Sequence, residues 1–350
     1  MLYSFFCPAN IPVNSAELFW SCYFDNTIAH NFPTSFSTPS YALGSFSGVD
    51  SQSDGAATLN SSFGIASGGT PTFITEHVLD EVGITDVAKI SEFGSVRLEP
   101  STAPGGKGNQ LVLEQKKRFY PPWNNSLRTP QLDATIQFAN GKATPREFFY
   151  SFMVKIPDNL ADIFVRNDGF AAWAEIHAVK CWSANSNDAR ISIIVSRLNG
   201  ETGFRLKFQF DNCGFNESTL LLDGVITPYW YDYTDEGTIL AGEWYNIFYY
   251  FKRPAAGKDD LLNGRAQCVL TRLATDEQIV VTDRIGGTSL LPADAIKHVT
   301  NSGRFWGYYE HEFTRYIFAL CYSGGFPATG TMKWIYSNIE FWTKRPYLLI

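Results

Sequence analysis

From about residue 92 onward, apolar and polar positions alternate with a period of two over short segments, as in half-buried strands. The clearest case is 147–156. Phe148, Tyr150, Phe152, Val154 and Ile156 fall on one face, and Phe149, Ser151, Met153 and Lys155 on the other, before Pro157-Asp158-Asn159 ends the run. The same pattern predicts strands at 171–180, 189–197, 203–210, 243–251, 266–272, 278–283, 315–322 and 332–341. Segments 95–98 and 110–114 flank the turn-rich stretch 100–108 and predict a hairpin. In 244–251 both faces are apolar or aromatic, the pattern of a strand buried on both sides. No amphipathic helix separates these segments, which disfavours a parallel βαβ plan. The expected fold is all-β, an antiparallel β-sandwich of the jelly-roll kind.

Residues 1–91 read differently. They are rich in Ser, Thr, Gly, Pro and Asn, and a single helix is predicted, over 72–79. Aromatic residues recur throughout, which argues against a disordered tail. The expected division is an amino-terminal extension or small subdomain packed on the sandwich, followed by a jelly-roll domain over 92–350.

Composition sharpens the picture at a few points. The chain has 28 Phe, 17 Tyr and 9 Trp among 350 residues, a load that favours strands and supplies rings for stacking on sugars. Its 28 basic against 35 acidic residues give a net charge of −7, which argues against nucleic acid as a partner. No run approaches the length of a membrane helix, so membrane insertion is not expected. The first residues have no basic n-region, sustained apolar run or small-residue cleavage site, so a signal peptide is not expected here or was removed before this numbering begins. An extracellular, cell-surface or virion-surface location is the expectation, with the cytoplasm left open. The six cysteines form no Cys-x-x-Cys pair and read as buried thiols or as one or two disulfides. Glycosylation triplets stand at Asn60, Asn124 and Asn216. Walker, dinucleotide-binding and serine-hydrolase motifs are absent.

Two predicted strands carry candidate chemistry. Alternation in 172–178 puts Trp173, Glu175 and His177 on one face, which suits a groove with an aromatic platform, a carboxylate and an imidazole. In 204–210, Arg205, Lys207 and Gln209 lie opposite Phe204, Leu206, Phe208 and Phe210. Side by side, these strands would offer an acidic ligand a ring to rest on and cations to meet. The plainer alternative is two strands with solvated outer faces. The aromatic run Tyr229-Trp230-Tyr231-Asp232-Tyr233 reads either as a sugar-binding loop or as an anchor for a long loop.

The order of several segments resembles the concanavalin A-like jelly-roll polysaccharide lyases, a grouping that includes alginate, glucuronan and heparin lyases. The resemblance spans about residues 92–345. It rests on the glycine-containing turn before Asn109-Gln110-Leu111-Val112-Leu113, on Leu127-Arg128-Thr129-Pro130-Gln131-Leu132, and on the strand from Arg146 that ends in Ile156-Pro157. Glu175-Ile176-His177 stands where the family commonly has Gln-Ile-His, and Gly307-Tyr308-Tyr309 is similar to the end of its Tyr-Phe-Lys-x-Gly-x-Tyr motif. Asn338-Ile339 resembles the pair in its closing strand.

The resemblance implies β-elimination of a uronate-containing polysaccharide. Such an enzyme removes the C5 proton, offsets charge on the carboxylate and protonates the departing O4. It implies that Arg128 neutralises the uronate, His177 assists or performs proton abstraction and Tyr309 serves as acid or acid-base. Trp173, Glu175, Arg205, Lys207 and Gln209 would then bind substrate. Two departures stand out. Glu175 would repel a uronate unless an Arg or a metal compensates it. Phe305 and Gly303 occupy the motif's Lys and first Tyr positions. The alternatives are a noncatalytic carbohydrate-binding jelly roll and a structural or host-attachment protein. A glycosidase would need two carboxylates, for which Glu175 with Glu340 or the Glu310-His311-Glu312 run are the candidates. No cofactor or metal is required; a structural Ca2+ at 185–188 or 232–236 is the one ion considered.

Overall fold

The computed structural model describes residues 18–24, 29–31, 41–47, 57–67, 94–115, 128–138, 146–163, 172–181, 190–212, 215–216, 221–222, 227–254, 264–293, 297–301, 305, 313–323 and 331–343. In chain order the first strands are β1 (Leu18–Cys22), β2 (Ala29–Asn31), β3 (Tyr41–Ser47), β4 (Ala57–Ser67), β5 (Gly94–Pro100), β6 (Asn109–Gln115) and β7 (Arg128–Phe138). Next come β8 (Glu147–Lys155), β9 (Ala172–Cys181), β10 (Arg190–Arg197), β11 (Arg205–Asp211), β12 (Phe215–Asn216), β13 (Leu221–Leu222) and β14 (Pro228–Tyr233). The last are β15 (Trp244–Lys252), β16 (Arg265–Arg272), β17 (Glu277–Ile285), β18 (Thr288–Ser289), β19 (His298–Thr300), β20 (Phe313–Ser323) and β21 (Met332–Trp342). One helical turn, Leu160–Ile163, is the only helix among the described residues. The predicted helix over 72–79 lies outside them.

Two large antiparallel sheets make the sandwich. Sheet A runs β18-β17-β16-β15-β8-β21-β6-β5, with β1 also pairing with β21, and sheet B runs β19-β14-β11-β10-β9-β20-β7-β4-β3-β2. The fold is the expected all-β jelly-roll sandwich. The predicted hairpin forms as β5 and β6, and β15 lies between β8 and β16 at the centre of sheet A. The amino-terminal strands belong to the sheets themselves: β1 pairs with β21 in sheet A, and β4 extends sheet B by pairing with β7 along all eleven residues of each.

Alternation explains the core. Phe148, Tyr150, Phe152 and Val154 of β8 face inward with Tyr245, Ile247, Tyr249 and Phe251 of β15, and meet Leu206, Phe208 and Phe210 of β11 from the other sheet. Rings close the gap between layers: Phe152 meets Phe318 edge-on at 5.6 Å, and Phe208 meets Tyr249 at 6.2 Å. Phe305 is also core, stacked on Phe251 at 5.6 Å and Trp230 at 5.8 Å. Cys268 is a buried free thiol, and burial pushes its pKa up.

Alternation breaks at two facing places. In β9 the register with β10 slips between Ile193 and Ile194, leaving Ile176 as an extra residue, so Ile176 and His177 both turn inward. In β21 the register with β8 slips between Ser337 and Glu340, where Asn338 adopts φ 47°. The backbone carbonyl of Ile176 accepts a hydrogen bond from the Tyr336 hydroxyl of the opposite sheet at 2.7 Å. A polar group released by the bulge thus finds its partner across the core.

Candidate functional site

The outer face of sheet B, away from the core, gathers the polar residues of β9, β10, β11 and β14. Backbone pairing sets them in rows. Ile194 lies between Glu175 and Lys207, and Lys207 faces Tyr233; Ser192 lies between Ala178 and Gln209, and Gln209 faces Tyr231. Arg190 pairs in register with Asp211. Strand β10 therefore separates the two candidate strands, and a ligand spanning them must cross it.

Most of this face is internally paired. Arg190 holds the buried Asp211 carboxylate through Nε and Nη2 at 3.0–3.2 Å, and Gln209 donates to the same carboxylate at 2.8 Å. Glu175 accepts from the Ser192 hydroxyl at 2.6 Å and has Arg190 at 3.7 Å. The compensating cation that Glu175 requires is therefore Arg190. Arg205 pairs with Glu201 and donates to the Thr234 carbonyl at 3.1 Å.

Lys207 differs from these. Its ammonium lies 4.3 Å from the centre of the Tyr231 ring and 5.5 Å from that of Tyr233, and no carboxylate pairs with it among the described residues. Burial lowers its pKa to about 8, opposed in part by Asp211. Burial also pushes the Tyr233 phenol up to about 12, with Tyr231 adding to the effect. Those two tyrosines met each other edge to face at 5.6 Å in a strand, β14, rather than in the loop read from the sequence. The signal was present, because Trp230 and Asp232 point inward while Tyr231 and Tyr233 alternate with them.

His177 is not on this face. It is fully buried, stacked on Tyr150 at 5.4 Å and packed against Phe152 and Phe318 at 4.6 and 4.8 Å. The bulge at Ile176 reverses the alternation that puts it beside Glu175 in the sequence pattern. Neither ring nitrogen has a hydrogen-bond partner, and burial lowers its pKa to about 3, opposed only in part by the nearby Ile317 backbone. Trp173 pairs with Ser196 at the end of the Arg205 row, and Arg128 begins β7 opposite Ser67; both side chains lie outside the described residues. Tyr309, the Glu310-His311-Glu312 run and the 185–188 loop lie outside them altogether. The proposed carboxylate pair is split: Glu340 sits on sheet A with Tyr23 and with Lys107 at 3.1 Å, whereas Glu175 is on the outer face of sheet B.

In 232–236 the acids are engaged elsewhere. Asp232 is buried against Arg284, Asp235 pairs with Lys297, and Glu236 accepts the Thr202 and Gly203 backbone N–H groups at 2.8 and 2.9 Å. No cluster of three or more metal-ligating side chains occurs among the described residues, and none of their helices is long and apolar enough to cross a membrane.

No family model matches the chain, and no curated protein matches it either. Among solved structures it is similar to the alginate lyase vAL-1 from Chlorella virus, with 11% identity and a TM-score of 0.38 over 74% of this chain and 98% of that one. A CBM2 module of the Lactobacillus casei BL23 phage J-1 evolved Dit aligns with 13% identity and a TM-score of 0.34, covering 84% of this chain and 92% of that one. An endo-1,3-beta-glucanase from Streptomyces sioyaensis aligns with 10% identity and a TM-score of 0.34, covering 70% and 88%. Likeness at this level concerns fold alone.

Proposed function

We propose that the outer face of sheet B binds an acidic polysaccharide and that the protein cleaves a uronate-containing polymer by β-elimination. The observation that carries this reading is Lys207, held over two phenol rings with its pKa lowered to about 8. A lysine poised there takes the weakly acidic C5 proton in its neutral form, the role that the family resemblance assigns to His177. Tyr233, kept protonated by its raised pKa, donates to the departing O4. Arg190 and Ser192 offset the charge of Glu175, so a uronate approaching Lys207 meets a face whose own acids are already engaged. Arg128 keeps the carboxylate-binding role the resemblance implies, and Tyr309 is the alternative to Tyr233 as proton donor, each a position to be tested alongside.

The test is ultraviolet absorbance of the unsaturated product, with alginate, glucuronan, heparin and pectate each offered with and without calcium. Lys207→Ala should lower turnover by roughly a hundredfold or more, whereas His177→Leu should retain it. Loss of turnover in the folded His177 variant with none in the Lys207 variant would overturn the assignment. A second reading, noncatalytic carbohydrate binding, is favoured by the pre-paired Arg190, Asp211 and Gln209, which hold the face rigid before a ligand arrives. Saturable binding of the same polymers without new absorbance would select it.

A further inference from the structure

At the open edge of the sandwich, β14 and β19 of sheet B meet β17 and β18 of sheet A around a buried ion pair. The Asp232 carboxylate is fully buried and accepts from Arg284 Nε at 2.8 Å and Nη2 at 2.5 Å, and from the Thr282 hydroxyl. Arg284 spends its other donors on the Gly287 carbonyl at 2.6 Å and the Thr300 hydroxyl at 2.7 Å. His298 sets Nδ1 3.1 Å from Asp232 Oδ1. An ionised carboxylate only accepts, so Nδ1 carries a proton and Nε2 is the nitrogen left for a ligand.

His298 lines a cleft with Gly286, Gly287, Thr288, Ser289 and Thr300, and no carboxylate lines it. The charges packed around the ring, among the described residues, are Asp232 on β14 and Arg284 on β17; its chain neighbour Lys297 is tied to Asp235. Arg284 already balances Asp232, so a proton on His298 leaves the cleft with a net positive charge. Ser289 accepts from the Leu291 N–H at 3.3 Å, which leaves its own hydroxyl proton to donate.

We propose that this cleft is an oxyanion site, separate from the Lys207 face, in which imidazolium His298 and the hydroxyls of Thr288 and Ser289 hold a carboxylate, sulfate or phosphate group. Asp232 and Arg284 serve as positioning residues that fix the ring.

The test is a nuclear magnetic resonance titration of the His298 ring in the whole protein, with sodium glucuronate, sodium sulfate and sodium phosphate in separate arms. His298 is assigned by the signal missing from His298→Gln. The expected result is a saturable shift of the ring with at least one anion and, by isothermal titration calorimetry of both proteins, affinity about tenfold or more weaker in His298→Gln. The arm that saturates identifies the acid group. Lys207→Ala should bind the same anion unchanged, which keeps this result independent of the polysaccharide reading. Absence of any shift in the wild-type ring, or equal affinity in a folded His298→Gln, would overturn the proposal.

Discussion

Lys207 and His177 both occupy places that disfavour their charged forms, and the consequences appear in stability against pH. For Lys207 the folded pKa of about 8 lies below the unfolded value of 10.5, so between them the unfolded chain holds more protons and stability rises with pH. Lys207→Met should therefore raise stability by about 1–3 kcal/mol near pH 7, with the gain fading between about pH 8 and 10.5 and gone above it, while turnover is lost. Urea denaturation at both pH values measures it, and an unchanged midpoint near neutrality would contradict it. His177 follows the same sign at lower pH: with a folded value of about 3 against 6.5, it costs stability increasingly as pH falls through that window. The cost approaches on the order of 4 kcal/mol at the acid end. His177→Leu, a change of similar volume, should flatten the acid limb of the stability profile and leave the neutral value within about 1.5 kcal/mol.

At the scale of elements, the strands were legible in the sequence because burial on one face writes a period of two, as in the residue types of β8 and β11, and burial on both faces writes the apolar run of β15. The site was legible in part. Arg205, Lys207 and Gln209 share a face because β11 is regular, whereas His177 leaves that face because one unpaired residue in β9 shifts the phase. A bulge of this kind is set by how β9 pairs with β10 and with the distant β20, and local alternation holds no trace of it. Tyr231 and Tyr233 read as part of a loop, not a strand, because β14 is short and opens with a proline. The Tyr336 hydroxyl that satisfies the Ile176 carbonyl is the test of how the bulge is kept. Tyr336→Phe should cost about 1–3 kcal/mol, since it strands a buried carbonyl while keeping the ring. A neutral effect in thermal unfolding would mean that the bulge is held by packing alone.

Across the whole molecule, Arg284 and Asp232 fasten the edge of sheet A to the edge of sheet B with both charges out of water. Removing one partner leaves the other buried and uncompensated, so Arg284→Met or Asp232→Asn should each destabilise by about 3–5 kcal/mol. The double replacement should cost less than the sum of the two, and strict additivity in a double-mutant cycle would show that the pair does not act as a unit. A different long-range contact governs how the molecule is made. Strand β1 pairs with β21, and Tyr23, just beyond β1, hydrogen-bonds Glu340 some 317 positions later. At a synthesis rate of 5–20 residues per second, that partner reaches it on the order of 15 s to 1 min after Tyr23 is made. Throughout that interval β1 waits without its partner, and sheet A is completed only when β21 leaves the ribosome.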